Sequence, residues 1–280
     1  MQKSYLTPSE ITDYTIEVAV AKTQRSFMEV LFMAVMAGMY ITMGALAAST
    51  ASHAVGNSGL AKLVAGVVFP IGLMFVILNG ADLFTGNCLI ITGVMDGKVT
   101  LTAFGKNLAT VLLGNFLGAL ALTWMQARGG MFMMSSGQFG AYTVAAAAAK
   151  VNMGFFQALI LAIICNLFVC AGVWLTYAAQ DAAGKLLAAF FAIVAFVISG
   201  SEHIVANMYY ISAGILAKKT DLYVELAAVD PAALSNLTWK GFLIKNAVPV
   251  TLGNIIGGVV IGVVYYMIYK VFPQNRSIVS

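Results

Sequence analysis

The stretch Asn79-Gly80-Ala81-Asp82-Leu83-Phe84-Thr85-Gly86-Asn87 breaks an apolar run where a membrane-crossing helix ought to continue. Val67 to Leu78 before it carries no charge, and Cys88 to Met95 after it is apolar apart from Thr92 and Gly93. Backbone that leaves the helix at membrane depth gives up hydrogen bonds that lipid cannot replace. Such a break survives only when it is buried in protein or lines a wet cavity. The chain must therefore build a protein environment around residues 79–87 inside a bilayer.

Composition agrees with a bilayer. The 280 residues are 61% hydrophobic and 9% charged, with mean hydropathy +0.91, where a soluble domain carries about 25% charge. The fold class expected is an all-α polytopic membrane protein with six transmembrane helices. A helix needs about 20 apolar residues to cross, and spans are expected at roughly 27–49, 60–78, 104–125, 154–178, 186–199 and 247–271. The fifth is short and ends at Ser199-Gly200-Ser201-Glu202-His203-Ile204-Val205-Ala206-Asn207, after which the chain is apolar again to Ala217. The second and the fifth of six spans are thus both broken.

That placement predicts an internal repeat. At an offset of 139, Lys106 and Asn107 of the third span meet Lys245 and Asn246 of the sixth, and Asn115 meets Asn254. At an offset of 120, Asn79-Gly80-Ala81-Asp82 faces Ser199-Gly200-Ser201-Glu202, and Asn87 faces Asn207. The first and fourth spans align through Gly44 and Gly172. Three spans per half is an odd number, so the halves, about 27–125 and 154–271, are expected to be inverted relative to one another. The channel domain is expected over 27–272, with residues 273–280 as a tail.

Residues 1–26 are expected to form an amphipathic helix, on the membrane surface or packed under the bundle. Thr7 and Glu10 have capping-box spacing with Pro8 at the first helical position, and Ile11, Tyr14, Val18 and Ala21 recur at helical spacing. Lys3, Glu10, Asp13, Glu17, Lys22 and Arg25 leave no apolar core for a cleavable signal peptide. Lys and Arg are spread almost evenly between the two sets of loops, so the positive-inside rule selects no orientation. The net charge of +4 is not run together, which speaks against nucleic acid as a partner. Cys88, Cys165 and Cys170 fall inside apolar runs without a CxxC pair and read as small buried hydrophobes. No metal or cofactor is expected.

Two half-helices that begin at mid-membrane would aim free N–H groups and partial positive charge at the centre, which favours an anion. Thr85 adds a hydroxyl there. His203 reads either as a buried neutral ring bonded to a carbonyl or as a donor to a passing anion that can lend a proton. Asp82 and Glu202 would repel an anion in an open pore, so they are expected to accept loop N–H groups or to pair with lysine. Lys150 either snorkels at the interface or reaches inward. Leu73, Leu83 and Phe196 flank the breaks and are either packing or dry constrictions. Gly114, Gly118, Gly253 and Gly257 suit close helix approach, with Asn115 and Asn254 as polar ties. His53 lies in a short polar loop with no role assigned.

Four segments, NGADLFTGN, CNLFVCAGVW, SGSEHIVANM and VTLGNIIGG, occur in an order that resembles the formate/nitrite transporter family over residues 25–271. The formate-channel branch is most similar, the hydrosulfide branch is close and the nitrite branch somewhat less so. The resemblance implies an aquaporin-like protomer with one pore, assembled as a homopentamer in the bilayer of the inner (plasma) membrane, with both termini cytoplasmic. Its central threonine and histidine fall on Thr85 and His203. Its constrictions fall on Leu73, Leu83, Phe196 and Ala206, and its other polar pore residues on Lys150, Asn166, Glu202 and Asn207. The chain departs from formate channels in the TGN after Phe84, where they often carry Ser and Thr. The substrates implied are formate, nitrite, hydrosulfide and similar weak-acid anions.

Two other functions fare worse. A neutral-solute channel of the aquaporin kind would carry two NPA-type motifs, and none occurs. A hydrolase built on Ser201 and His203 lacks GxSxG, and two residues this close on a loop have no reason to form a dyad.

Overall fold

A buried peptide group that leaves a helix needs a partner, and the architecture follows from how each break finds one. The computed structural model describes residues 3–273, so most of the expected 273–280 tail lies outside the described residues. The first helix, α1 (Pro8–Gln24), starts as its spacing requires: the Glu10 carboxylate accepts the Thr7 N–H at 2.8 Å. The Lys3 ammonium and that N–H hold the Glu10 carboxyl down to about 2. α1 packs under the bundle, tied by an ion pair between Asp13 and Lys270 near the other end of the chain. Its buried stripe is Ile11, Thr12, Thr15, Ile16 and Ala19, whereas Tyr14 is 37% exposed and Ala21 lies outside the stripe. The apolar spacing thus misplaced the buried face. Thr12 and Thr15 can go inside because their hydroxyls donate back to Pro8 O and Ile11 O.

Six apolar helices are long enough to cross a membrane. The first span is α2 (Phe27–Ser52), capped by Ser26. The second is α3 (Ser58–Val68) and α4 (Ile71–Asn79), separated at Pro70, which has no N–H to give. After the break come α5 (Phe84–Asn87), a 3₁₀ turn over Cys88–Ile90 and α6 (Ile91–Met95). The third span is α7 (Leu101–Arg128). A 3₁₀ segment and α8 (Gln138–Val151) lead to the fourth, α9 (Phe155–Ala178). The fifth is α10 (Ala182–Ser199), continued beyond its break by α11 (Ile204–Ala217). The short helices α12 (Asp221–Ala227) and α13 (Pro231–Ser235) precede the sixth span, formed by α14 (Trp239–Gly241), a π-helical stretch, and α15 (Val248–Tyr266). α2 packs along α7 and α9 along α15, so each half closes on itself.

Both breaks have one design. α4 ends on Gly80 and α10 on Gly200, with φ of 74° and 71°. A Cβ is disfavoured in that left-handed conformation. Three extended residues follow, and then the half-helix. In the first half Phe84 N–H donates to Asn115 Oδ1 at 2.9 Å, while Asn115 Nδ2 donates to Ala34 O at 2.8 Å and Asp82 O at 3.0 Å. In the second half Ile204 N–H donates to Asn254 Oδ1 at 2.9 Å, and Asn254 Nδ2 donates to Ala162 O at 2.8 Å and Glu202 O at 3.0 Å. Asp82 N–H donates to Met33 O, and Glu202 N–H to Leu161 O. The same five backbone groups are therefore paired in each half, at the offsets of 120, 128 and 139 residues that relate the halves. Asn115 and Asn254 are more than ties between helices: each splints a break to the first helix of its own half.

Close approach makes room for the splint. A Cβ at Gly118 would stand 2.0 Å from Val35 O, a backbone atom that cannot step aside. Asn115→Leu is expected to leave the Phe84 N–H and the Asp82 carbonyl without partners, each worth about 1–3 kcal/mol when buried. Thermal unfolding in detergent should show a loss of about 2 kcal/mol or more, against a smaller change for the exposed Leu113→Ala.

Candidate functional site

The two breaks converge. Thr85, the second residue of α5, and His203, the N-cap of α11, are buried and joined by a hydrogen bond of 3.0 Å between Oγ1 and Nε2. His203 Nδ1 accepts the Ala206 N–H at 3.1 Å, so the ring serves as its own helix cap. A nitrogen that accepts carries no proton, so the neutral ring is protonated at Nε2 and donates to Thr85. The Thr85 hydroxyl hydrogen is then left over.

The Thr85 carbonyl is held from behind. Asn166 Nδ2 donates to it at 3.3 Å and to Asn254 O at 2.5 Å, and Cys170 Sγ donates to Thr85 O at 3.2 Å. Asn166 corresponds to Gly38 at the 128-residue offset, where a Cβ would stand 2.1 Å from Asn115 O. The halves differ here because one needs room for a close crossing and the other needs a donor. All three cysteines are buried and free; Cys170 acts as a weak donor, a role that apolar context gave no sign of.

Each break is flanked by a matching polar cluster. In the second half, Lys150 Nζ lies 2.7 Å from Glu202 Oε1, and Asn207 Nδ2 donates to Glu202 Oε2 at 2.6 Å and to Asn246 Oδ1 at 3.0 Å. Asn246 Nδ2 donates to Lys150 O. In the first half, Lys22 Nζ lies 2.7 Å from Asp82 Oδ1, and Asn87 Nδ2 donates to Asp82 Oδ1 at 3.4 Å and to Asn107 Oδ1 at 2.9 Å. Asn107 Nδ2 donates to Lys22 O. Lys22 and Lys150 are 128 residues apart, as are Gly44 and Gly172. The repeat thus extends upstream of residue 27, with α1 the counterpart of α8. This pairing lies upstream of the halves expected from the spans alone, which begin at residue 27. Arg25 is an addition without a counterpart, 3.0 Å from Asp82 Oδ2, where the second half has Met153.

Asp82 and Glu202 therefore pair with cations, and Lys150 points inward, its ammonium 5.3 Å from the Tyr210 ring centre. Asn87, part of the departure at TGN, also accepts from Lys22 at 2.5 Å. His53 bonds Thr50 O and Ser135, away from these groups.

A cavity of about 300 Å³ lies on the α8 side, lined by Lys62, Lys150, Phe196, Glu202, His203 and Ala206 among others. Phe196 is steadied by an edge-to-face contact with Phe69 and sits 5.7 Å from the His203 ring centre. On the α1 side, Leu73 and Leu83 help line a small cavity of about 30 Å³, near the volume of a single water, and a wider one of about 230 Å³ beyond it is lined by Lys22, Arg25, Asp82 and Lys185. Leu73, Leu83, Phe196 and Ala206 are all buried. The arrangement is a central hydroxyl–imidazole pair between apolar narrows, with a polar cluster and a cavity on each side. No cluster of metal-ligating side chains occurs among the described residues.

The geometry has close relatives. A solved pentameric formate channel with formate bound superposes with a TM-score of 0.77 at 29% identity, covering 87% of this chain and 97% of that one. A solved FNT family ion channel gives 0.78 at 25% identity, covering 92% and 98%. The formate channel FocA of Haemophilus influenzae is 36% identical over 262 residues, 91% of either chain, and that of Escherichia coli K12 is 33% identical over 270 residues, 94% of either chain. The family model described as formate/nitrite transporter matches residues 9–268. A chain of six apolar spans, matched along nearly its whole length, is a multi-pass membrane transport protein rather than an enzyme, and it belongs to the formate/nitrite transporter family.

Proposed function

We propose that the chain is a channel for formate and related small monovalent anions of weak acids, one pore per protomer in a homopentamer, seated in the inner membrane with both termini cytoplasmic. The observation that carries this reading is the Thr85–His203 hydrogen bond at the meeting point of the two half-helices. The relatives named formate channels support formate over the family's other anions. Nitrite and hydrosulfide share its charge and size class and compete for the same groups.

An anion enters from either cavity and meets the apolar narrows at Phe196 and Ala206 or at Leu73 and Leu83, where water is squeezed out. A bare charge there is costly. The Thr85 hydroxyl, polarised by the His203 Nε2–H, supplies a donor to one anion oxygen at the centre, and the half-helix N-termini add partial positive charge. Lys150, Asn166, Glu202 and Asn207 hold this frame: Lys150 and Asn207 fix the Glu202 carboxylate, and Asn166 turns the Thr85 carbonyl aside. Lys22, Asp82 and Asn87 do the same on the other side.

Proton exchange at His203 has a specific structural condition. An imidazolium carries protons on both nitrogens, so charging the ring breaks the Ala206 N–H···Nδ1 bond and uncaps α11. Proton transfer to the anion is therefore coupled to a loosening of the second break.

Formate uptake into proteoliposomes tests the reading: the wild-type protein is expected to pass formate, with slower flux of nitrite and hydrosulfide, and no formate flux would refute it. His203→Asn keeps a side-chain acceptor for the Ala206 N–H and removes the titrating ring. It is expected to flatten the pH profile of uptake, and an unchanged profile would place the proton elsewhere. Lys150→Ala leaves the Glu202 carboxylate buried without its cation, a loss of about 3–5 kcal/mol. A large fall in the unfolding temperature is expected, partly restored in the double variant Lys150→Ala/Glu202→Gln.

A further inference from the structure

The lysines nearest the breaks bring little net charge, because each is cancelled at contact. Lys150 lies 2.7 Å from Glu202, and Lys22 lies 2.7 Å from Asp82. Two other lysines line the cavities. Lys62 lines the cavity on the α8 side and Lys185 the wide one on the α1 side. Neither has a carboxylate oxygen within 4.0 Å among the described residues.

At the 120-residue offset Lys62 meets Ala182 and Lys185 meets Ala65, so the two lysines are not repeat counterparts, yet their placement is alike. Lys62 is the fifth residue of α3 and Lys185 the fourth of α10, so each sits near the start of the helix that runs toward a break. Each then faces the break of the other half. A Cβ built on Gly200 would stand 3.6 Å from the Lys62 ammonium. Lys185 shares its cavity with Gly80, Ala81 and Asp82. Local helix physics asks for the opposite residue type, since the first turns of a helix favour acids and disfavour cations.

We infer that Lys62 and Lys185 are collector charges, one at each mouth, that set how fast small monovalent anions reach the pore. This rests on the anion-channel reading above. A free cation in a cleft with low-dielectric walls focuses the field and raises the local anion concentration. The two mouths differ in a checkable way. Without Lys62, the charges lining its cavity are Lys150 and Glu202, which cancel. Without Lys185, Lys22 and Arg25 still outweigh Asp82. Lys62 therefore matters more for anions arriving on its side than Lys185 does for its own.

The test is formate flux through reconstituted wild-type protein, Lys62→Gln, Lys185→Gln and Lys62→Arg, with formate supplied from either side, at about 20 mM and about 500 mM ionic strength, where the Debye length shrinks from about 20 Å to about 4 Å. At low salt, Lys62→Gln is expected to slow flux from the α8 side about 3–10-fold. Lys185→Gln should slow flux from the α1 side by a smaller factor, and Lys62→Arg should keep the wild-type rate. At high salt the losses should shrink to less than about twofold. Equal flux through Lys62→Gln and wild type at low salt overturns the proposal. So does a loss that is the same at both salts and is not rescued by arginine, which would make Lys62 a mere cap on the carbonyl end of α10. Wild-type protein that passes no formate at all refutes the channel reading itself, and this proposal with it.

Discussion

Everything at the centre of this molecule depends on two asparagine side chains standing in for lost helical hydrogen bonds. Where α4 and α10 stop, backbone donors and acceptors lie at a depth where lipid offers nothing. Asn115 and Asn254 each take one N–H and give to two carbonyls, fastening the break to the half-helix that follows it and to the first span of the same half. Only then can Thr85 and His203 be held face to face.

Charge is handled by the same economy. Asp82 and Glu202 are buried, and each is satisfied by a lysine and an asparagine from elsewhere in its half. Such clusters are poor sources of net stabilisation, because desolvation offsets most of the attraction. They are good at fixing geometry: the carboxylates are occupied and do not face a passing anion. The field that remains at the mouths comes from Lys62 and Lys185, which have no carboxylate oxygen within 4.0 Å among the described residues, and on the α1 side also from Arg25. On the α8 side a neutral frame and a charged rim are thereby separated, whereas on the α1 side Arg25 leaves the frame itself with net positive charge.

Much of this was legible in the sequence. The polar stretches at 79–87 and 199–207 announced themselves against apolar surroundings, and their offset exposed the inverted repeat. Asp82 and Glu202 could be expected to find lysines, because an unpaired carboxylate there would be too costly. Other features left weaker traces. The buried face of α1 was misread because Thr12 and Thr15 look polar in sequence, while their hydroxyls are satisfied within the helix. Lys22 leaves only the trace of standing 128 residues before Lys150, upstream of the first span, where hydropathy marks no repeat. Cys170 as a donor to Thr85 had no signal at all, for a thiol in an apolar run looks like packing.

Residue order alone shows that the chain crosses a membrane six times and breaks its helices twice in equivalent places. It could do so because hydropathy and spacing are local properties, and lipid punishes exposed backbone severely. Only the tertiary structure decided which lysine neutralises which carboxylate, which nitrogen of His203 carries the proton, and which cations are left free. Those outcomes depend on distances between segments up to more than a hundred residues apart, and no local pattern encodes a distance.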